Sequence, residues 1–182
     1  AMNRMIDSET ETPNMVDTWL AFNQRYLGSH LQRLRRLLQA RLVDGAGEST
    51  PEPASGPAPG PETEIWRADE GEVPPSLEVL CSLFGLSDFE RDILLLCGAV
   101  ELEAGFADLC RAARGQTTSP GVPTLGLALS LFGDAHWSAL TPAAPLRYWR
   151  TLEVGSGDTL MTSLLRIDER VLHYLAGLRY PD

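Results

Sequence analysis

The sequence predicts a mainly α-helical fold that contains a single β-hairpin. Most segments carry apolar residues three or four positions apart, which is typical of amphipathic helices. Only one pair of segments alternates between apolar and polar residues, on either side of the turn "GSGD", as expected of a hairpin. One stretch rich in proline and glycine divides the chain and predicts a linker.

Residues 1–43 are predicted to contain one long amphipathic helix, extending over 14–43. Its apolar residues recur at helical spacing from Met15 to Leu42, and the opposite face of its second half carries Arg33 and Arg36. Two interpretations of these arginines stay open at this point. They form either a solvated basic face or a docking stripe for an acidic partner or a neighbouring copy.

Residues 44–73 are predicted to be a flexible linker. The stretch "DGAGESTPEPASGPAPGPET" is rich in proline, glycine and small polar residues and has no hydrophobic period. Such a composition buries too little apolar surface to offset the entropy cost of ordering the chain. The long helix is therefore expected to be tethered to the following residues without having to share their core.

Residues 74–182 are predicted to form a helical, winged-helix-like domain. The first helix, "PPSLEVLCSLFG", ends at a glycine suited to a left-handed stop. The next, "SDFERDILLLCGAVEL", begins with Ser87 and Glu90 at capping-box spacing and has an apolar face. "EAGFADLCRAARG" and "TLGLALSLFG" predict two more helices.

The C-terminal part of this domain predicts the wing. Asp134 is expected to cap a short helix, and Thr141 with Pro142 to begin another that continues through Trp149. "RTLEV" and "TLMTSLLRI" predict the hairpin. Asp168 is expected to cap a closing helix. Its predicted core residues are Val171, Leu172 and Leu175. Three helices, a hairpin and a helix in this order are the winged-helix arrangement.

Composition excludes several kinds of chemistry. All fifteen basic residues are arginine, so the chain has no GxxxxGK[ST] phosphate loop and no catalytic lysine. The three histidines lie in separate segments, and the three cysteines are expected to be reduced core residues. No catalytic, cofactor-binding or metal-binding residues are predicted, and a self-contained enzyme is not expected. No apolar run is long enough for a membrane span, and a cytoplasmic protein is expected.

Nucleic-acid binding is not favoured by the charge. The chain carries a net charge of −10, and residues 62–114 hold twelve acidic and four basic residues, which repels a phosphate backbone. The helix that would read DNA offers Arg147 and Tyr148, with Arg150 just beyond it. Together with the two arginines of the N-terminal helix, these three are the candidate partner-binding residues. A DNA-binding winged-helix regulator remains the alternative function.

Four segments resemble a known family. "PPSLEVLCSLFGLSDFERDILLLCGAVEL", "PTLGLALSLF", "HWSALTPAAPLRYWR" and "LLRIDERVLHYLAGL" are together similar to the region that precedes the ATPase module in a group of bacterial AAA+ ATPases. Members are often encoded with contractile injection systems, and a variant winged-helix domain precedes their nucleotide-binding core. The resemblance covers residues 74–182.

The resemblance implies a non-catalytic, N-terminal interaction or positioning domain. Its partners would be proteins, among them injection-system components, and copies would associate through the ATPase part. ATP and Mg²⁺ would bind to that part, which is expected to follow Asp182 in the longer protein. No position of this sequence matches the family's nucleotide-binding residues, so no cofactor is expected here.

The absence of lysine leads to a first prediction. Titrating the 182-residue chain with ATP and Mg²⁺ should give no binding heat in isothermal calorimetry, because no phosphate-binding loop is present. Binding of ATP with micromolar affinity would contradict this prediction.

Overall fold

The computed structural model describes residues 15–44, 66–67, 73–116, 118 and 120–178. In these ranges the chain forms seven α-helices, one 3₁₀ helix and one antiparallel hairpin, so the mainly α-helical prediction is confirmed. The elements in chain order are α1 (Met15–Asp44), α2 (Ser76–Phe84), α3 (Asp88–Leu102), α4 (Phe106–Ala113), α5 (Leu125–Leu131), the 3₁₀ helix (Trp137–Leu140), α6 (Pro145–Tyr148), β1 (Leu152–Val154), β2 (Leu165–Ile167) and α7 (Glu169–Leu175).

Helix α3 is the centre of the fold. Every residue from Asp92 to Ala99 is buried, so all sides of this part of the helix are covered by other elements. A helix that is apolar all round requires such a position. Helices α1 and α4 and strand β2 pack against it. The prediction of a single apolar face for α3 is therefore incomplete, because this helix is buried on all sides.

Helix α1 supplies part of the same core. Leu31, Leu34 and Leu38 are buried and belong to one hydrophobic cluster with the leucines of α3, and α1 contacts α3, α4 and α5. The expectation that the helix need not share the core of residues 74–182 is wrong, because its leucine stripe covers α3. The flexible linker stays a prediction, since 45–65 and 68–72 lie outside the described residues.

A buried amide fixes α1 to two other helices. The Asn23 side chain is 1% exposed and donates from Nδ2 to the Leu175 carbonyl at 2.9 Å, at the end of α7. Its Oδ1 accepts from the Ser76 backbone N–H at 2.8 Å, at the start of α2. Because buried polar groups are costly unless they are paired, these two bonds determine where α1 lies along the domain.

The hairpin forms the wing. Leu152 lies opposite Ile167 and Val154 opposite Leu165, so both strands turn their buried residues to the same side. A separate antiparallel bridge joins Thr124, just before α5, to Leu164, just before β2. Helix α7 follows β2 directly.

Several predicted helix ends are confirmed. Ser87 and Glu90 form a complete capping box at the start of α3. Gly85 ends α2 in the left-handed conformation, with φ of 64°. The Asp168 carboxylate accepts from the backbone N–H groups of Arg170 and Val171 at the start of α7. These are local interactions between residues close in sequence, which is why the sequence predicts them well.

Helix α6 begins later than predicted. It starts at Pro145 and ends at Tyr148, whereas the expected start was at Thr141 and Pro142. A helix beginning at Pro142 would need a backbone N–H at its fourth position, where Pro145 has none, and the Pro145 ring would clash with the preceding turn. Residues 141–144 form a turn instead, closed by the Ala144 N–H donating to the Thr141 carbonyl.

The hairpin strands are also shorter than predicted, and residues 155–164 connect them. The expected strand "TLMTSLLRI" is paired only in its second half, because side chains in its first half bond to nearby backbone. Thr162 and Ser163 donate from their hydroxyl groups to the Thr159 carbonyl, which favours a turn over a ladder. Gly157 lies so close to Ser163 that a Cβ would meet its backbone at 2.7 Å.

Two smaller predictions need correction. The 3₁₀ helix has His136 at its N-cap position and no capping side chain, and Asp134 lies in a turn with φ of 53°. In α7, Leu175 is fully buried, as predicted, but Val171 and Leu172 are only half-buried. The Leu172 side chain still reaches α3 beside Gly98.

The shared core leads to a second prediction. A protease site placed within 50–61 should allow α1 to be cut from the rest, and the two pieces should elute together in size-exclusion chromatography because the leucine stripe holds them. Leu34→Asp, which places a charge at a site with 0% exposure, should release the α1 piece. The matched control is Val43→Asp on the same helix, where the side chain is 74% exposed. Separation of the unmutated pieces would contradict the shared core.

Candidate functional site

Histidine, cysteine and acidic side chains are the potential metal ligands and nucleophiles among the described residues. No group of three histidine, cysteine or acidic side chains could hold a metal ion there. Burial raises the pKa of Cys110 to about 11 and that of Cys81 to about 12, and the three thiols are free. Thiols that stay protonated are poor nucleophiles.

The His136 side chain has a structural arrangement. Its Nε2 is 3.1 Å from Ser87 Oγ and its Nδ1 is 2.8 Å from Ser138 Oγ. The Ser87 hydroxyl already accepts the Glu90 N–H as the cap of α3, and no carboxylate of the described residues is bonded to the imidazole. The group therefore joins α3 to the 3₁₀ helix and lacks the orienting acid of a hydrolytic triad.

Part of the predicted arginine stripe of α1 is paired within the chain. Arg33 donates from both terminal nitrogens to the Asp92 carboxylate, at 2.9 and 2.7 Å. These hydrogen bonds raise the pKa of Arg33. Arg35 pairs with Glu103 at 2.7 Å, and its guanidinium carbon lies 4.8 Å from the Phe106 ring centroid. The acidic partners of Arg33 and Arg35 thus lie in the helical body of the same chain.

The two candidate residues on α1 therefore differ. Arg33 is half-buried and holds α1 against α3. Arg36 is exposed on the outer side of the helix. Neither of the two sequence interpretations describes the whole stripe, because part of it is an internal contact and part of it faces solvent.

The other three candidates lie together around α6. Tyr148 is 65% exposed, and the adjoining Trp149 is 51% exposed. Their ring centroids are 4.9 Å apart and the ring planes stand at 89°. Phe84, at the end of α2, lies 5.6 Å from the Trp149 ring. We call Phe84, Arg147, Tyr148, Trp149 and Arg150 the aromatic corner.

The sequence around α6 explains why these rings project into solvent. A one-turn helix preceded by a proline-containing turn buries one side chain, Leu146, which has 0% exposure. Arg147 donates to the Leu140 carbonyl at 3.1 Å, which fixes α6 to the 3₁₀ helix. Trp149 was missed as a site residue because the longer helix predicted there would have placed it in an apolar stripe. Phe84 was missed because its contact with Trp149 joins two elements that are distant in sequence.

Arg150 has an unusual backbone. Its φ of 52° lies in the left-handed region, which costs a non-glycine residue roughly 1–2 kcal/mol. Its side chain is exposed and makes no ion pair or hydrogen bond within the described part of the chain. Residues held in such strained backbone conformations cluster at functional sites, so Arg150 stays a candidate.

A concavity lies between α4, α5 and the wing, with a volume of about 520 Å³. The Arg114 guanidinium in its wall donates to the carbonyls of Val122 and Pro120, and Arg41 lies near the Ser130 carbonyl at 3.5 Å. These arginines support the surrounding backbone.

Comparison with known proteins agrees with this architecture. The family model described as "Winged helix domain, variant" matches residues 23–182. The chain belongs to this family. The match includes most of α1, consistent with the place of that helix in the winged-helix core. No curated protein and no solved structure matches significantly. Among the described helices of this winged-helix domain, none is long and apolar enough to cross a membrane.

The contrast between Arg33, which is paired with Asp92, and the exposed Arg150 leads to a third prediction. Arg33→Ala should lower the free energy of unfolding by about 2–3 kcal/mol, because the buried Asp92 carboxylate would lose its two hydrogen bonds to Arg33. Arg150→Gly should raise it by up to about 1 kcal/mol by removing backbone strain. Urea denaturation measures both. Equal and small effects of the two substitutions would contradict the division into an internal contact and a strained surface residue.

Proposed function

We propose that this winged-helix domain is a non-catalytic protein-interaction domain that contacts its partner through the aromatic corner. The observation that carries the proposal is the exposure of two adjacent large aromatic side chains, Tyr148 and Trp149. Leaving so much aromatic surface in water forgoes the stabilisation that burial would give. Tryptophan, tyrosine and arginine are the residues most enriched at the energetic centres of protein interfaces.

Charge supports a protein partner over nucleic acid. Helix α6 has four residues and is therefore about 6 Å long. So short a helix can place few side chains in a major groove. The net charge of −10 opposes a phosphate backbone. The alternative, a DNA-binding regulator, has one observation in its favour: Arg147, Tyr148 and Arg150 occupy the element before the wing, where winged-helix proteins that bind DNA place their reading helix.

We further propose that the domain belongs to the N-terminal part of a bacterial AAA+ ATPase associated with contractile injection systems. This rests on the resemblance of the four segments within 74–182. ATP and Mg²⁺ would be bound by the ATPase module, copies would associate through that module, and the aromatic corner would contact an injection-system protein. The coding sequence after Asp182 tests this parentage, because a GxxxxGK[ST] motif should follow.

Site-specific crosslinking gives a fourth prediction. A photoreactive phenylalanine analogue at position 148, introduced in the native host, should yield crosslinks to protein and none to nucleic acid. The matched control is position 174, because Tyr174 is also exposed, at 42%, but lies on α7. Crosslinks to nucleic acid at position 148 would favour the DNA-binding alternative. Equal protein crosslinking at both positions would contradict the assignment of the aromatic corner.

A further inference from the structure

We call the surface of α3, α4 and α5 that α1 covers the α1 site. We infer that this site also binds helix α1 of a second copy of the chain, so that two copies exchange their N-terminal helices and form a dimer. The inference goes beyond the proposed function, because it does not involve the aromatic corner. Three observations support it: the polar contacts of α1, the opposite charges of the two surfaces, and the length of the connection between α1 and α2.

The α1 site holds its helix through non-covalent contacts that another copy can reproduce. Arg33 donates two hydrogen bonds to Asp92, at 2.9 and 2.7 Å, and Arg35 pairs with Glu103 at 2.7 Å. Leu34, between these arginines, is fully buried in the core that α1 shares with α3. Helix α1 of a second copy has the same side chains at the same spacing, so it makes the same contacts in this site.

The charges favour α1 as the occupant, from whichever copy it comes. Helix α1 contains five arginines and two aspartates and therefore carries a net charge of +3. Because the whole chain carries −10, the remaining residues carry −13. Opposite charge attracts α1 of one copy to the body of another, and two of the arginines pair with carboxylates of the site itself.

The connection between α1 and α2 is long enough for either arrangement. The start of α2 lies beside the N-terminal half of α1, because Asn23 accepts the Ser76 N–H. The chain that leaves α1 at Asp44 must therefore return about 32 Å along the helix. The 29 residues of 45–73 reach about 100 Å when fully extended, which is roughly three times the return distance. The same connection thus allows α1 to lie on its own copy or on an adjacent one.

The concentration of chains decides between the two arrangements. A tethered helix meets its own site at an effective concentration on the order of millimolar, so copies in dilute solution keep their own α1. Copies held side by side meet each other's sites at a comparable concentration. Exchange of α1 then joins neighbouring domains through contacts that each domain already makes by itself.

Charge reversal tests the exchange at the native chain length. Arg33→Asp and Asp92→Arg each place two like charges opposite one another in the chain's own α1 site. When the two variants are mixed, exchange of α1 restores a pair of opposite charges in both sites of the dimer. We expect a heterodimer, measured by light scattering after size-exclusion chromatography, whose affinity is at least about tenfold higher than that of either variant for itself.

The matched control reverses an ion pair that exchange of α1 cannot restore. Asp108 and Arg111 pair within α4, so mixing Asp108→Arg with Arg111→Asp should not increase dimer formation. Equal dimer formation in the two mixtures would overturn the inference. The absence of a heterodimer of Arg33→Asp with Asp92→Arg at millimolar concentration would overturn it as well.

Shortening the connection is an independent test, which does not depend on the stability of the charge variants. Deleting residues 47–72 leaves three residues between Asp44 and Pro74, which reach about 11 Å and cannot return along α1. The shortened chain should therefore be a dimer at micromolar concentration. The matched control replaces 47–72 with a glycine–serine sequence of the same length and should be a monomer. Both variants lack Trp66, which packs against the core, so they differ in length alone.

The masses of these two variants decide the outcome. A monomeric shortened chain, or the same mass for both variants, contradicts the exchange of α1. Such a result leaves the proposed function intact, because both variants retain every residue of the aromatic corner.

Discussion

The packing of α1 against α3 is the constraint on which the rest of the structure depends. Helix α3 is buried on all sides between Asp92 and Ala99, so it requires cover from more elements than residues 103–178 provide. The leucines of α1 supply that cover, and directional contacts fix their position. Asn23 bonds to α2 and α7, and Arg33 to α3. Apolar burial thus provides the stabilisation, while the polar pairs determine the register of α1.

Local features of the sequence predicted the helix ends and the order of elements. The capping box of α3 and the Asp168 cap involve residues within three positions of each other, so their chemistry can be recognised without knowing the fold. The position of α1 could not be obtained in this way, because it depends on contacts across long sequence separations. One signal was available nevertheless. The unbroken apolar run of α3 indicated a helix covered on every side, and hence a further layer.

The candidate site was predicted in part for similar reasons. Tyr148 and Arg150 were identified from the place of their segment before the wing, and they lie together in the structure. The sequence presented Arg33 as a surface charge. A helical pattern shows which face of the helix is polar, but it does not show which other element packs against that face. Phe84 joins the corner through a contact between α2 and the end of α6, which no local pattern indicates. Individual charges are thus weak guides to function until their partners are known.

The bond between Asn23 and Leu175 spans 152 residues, and this has a consequence for how the protein is made. A ribosome adding about 5–20 residues per second needs roughly 8–30 s to extend the chain from one residue to the other. During that time the leucine stripe of α1 has no finished core to cover, so the helix lacks the tertiary packing that provides most helical stability in proteins. High contact order of this kind slows folding far more than it lowers final stability. Helix α1 is therefore synthesised before the elements on which it packs, and it reaches its full set of contacts only after the end of α7 has been made.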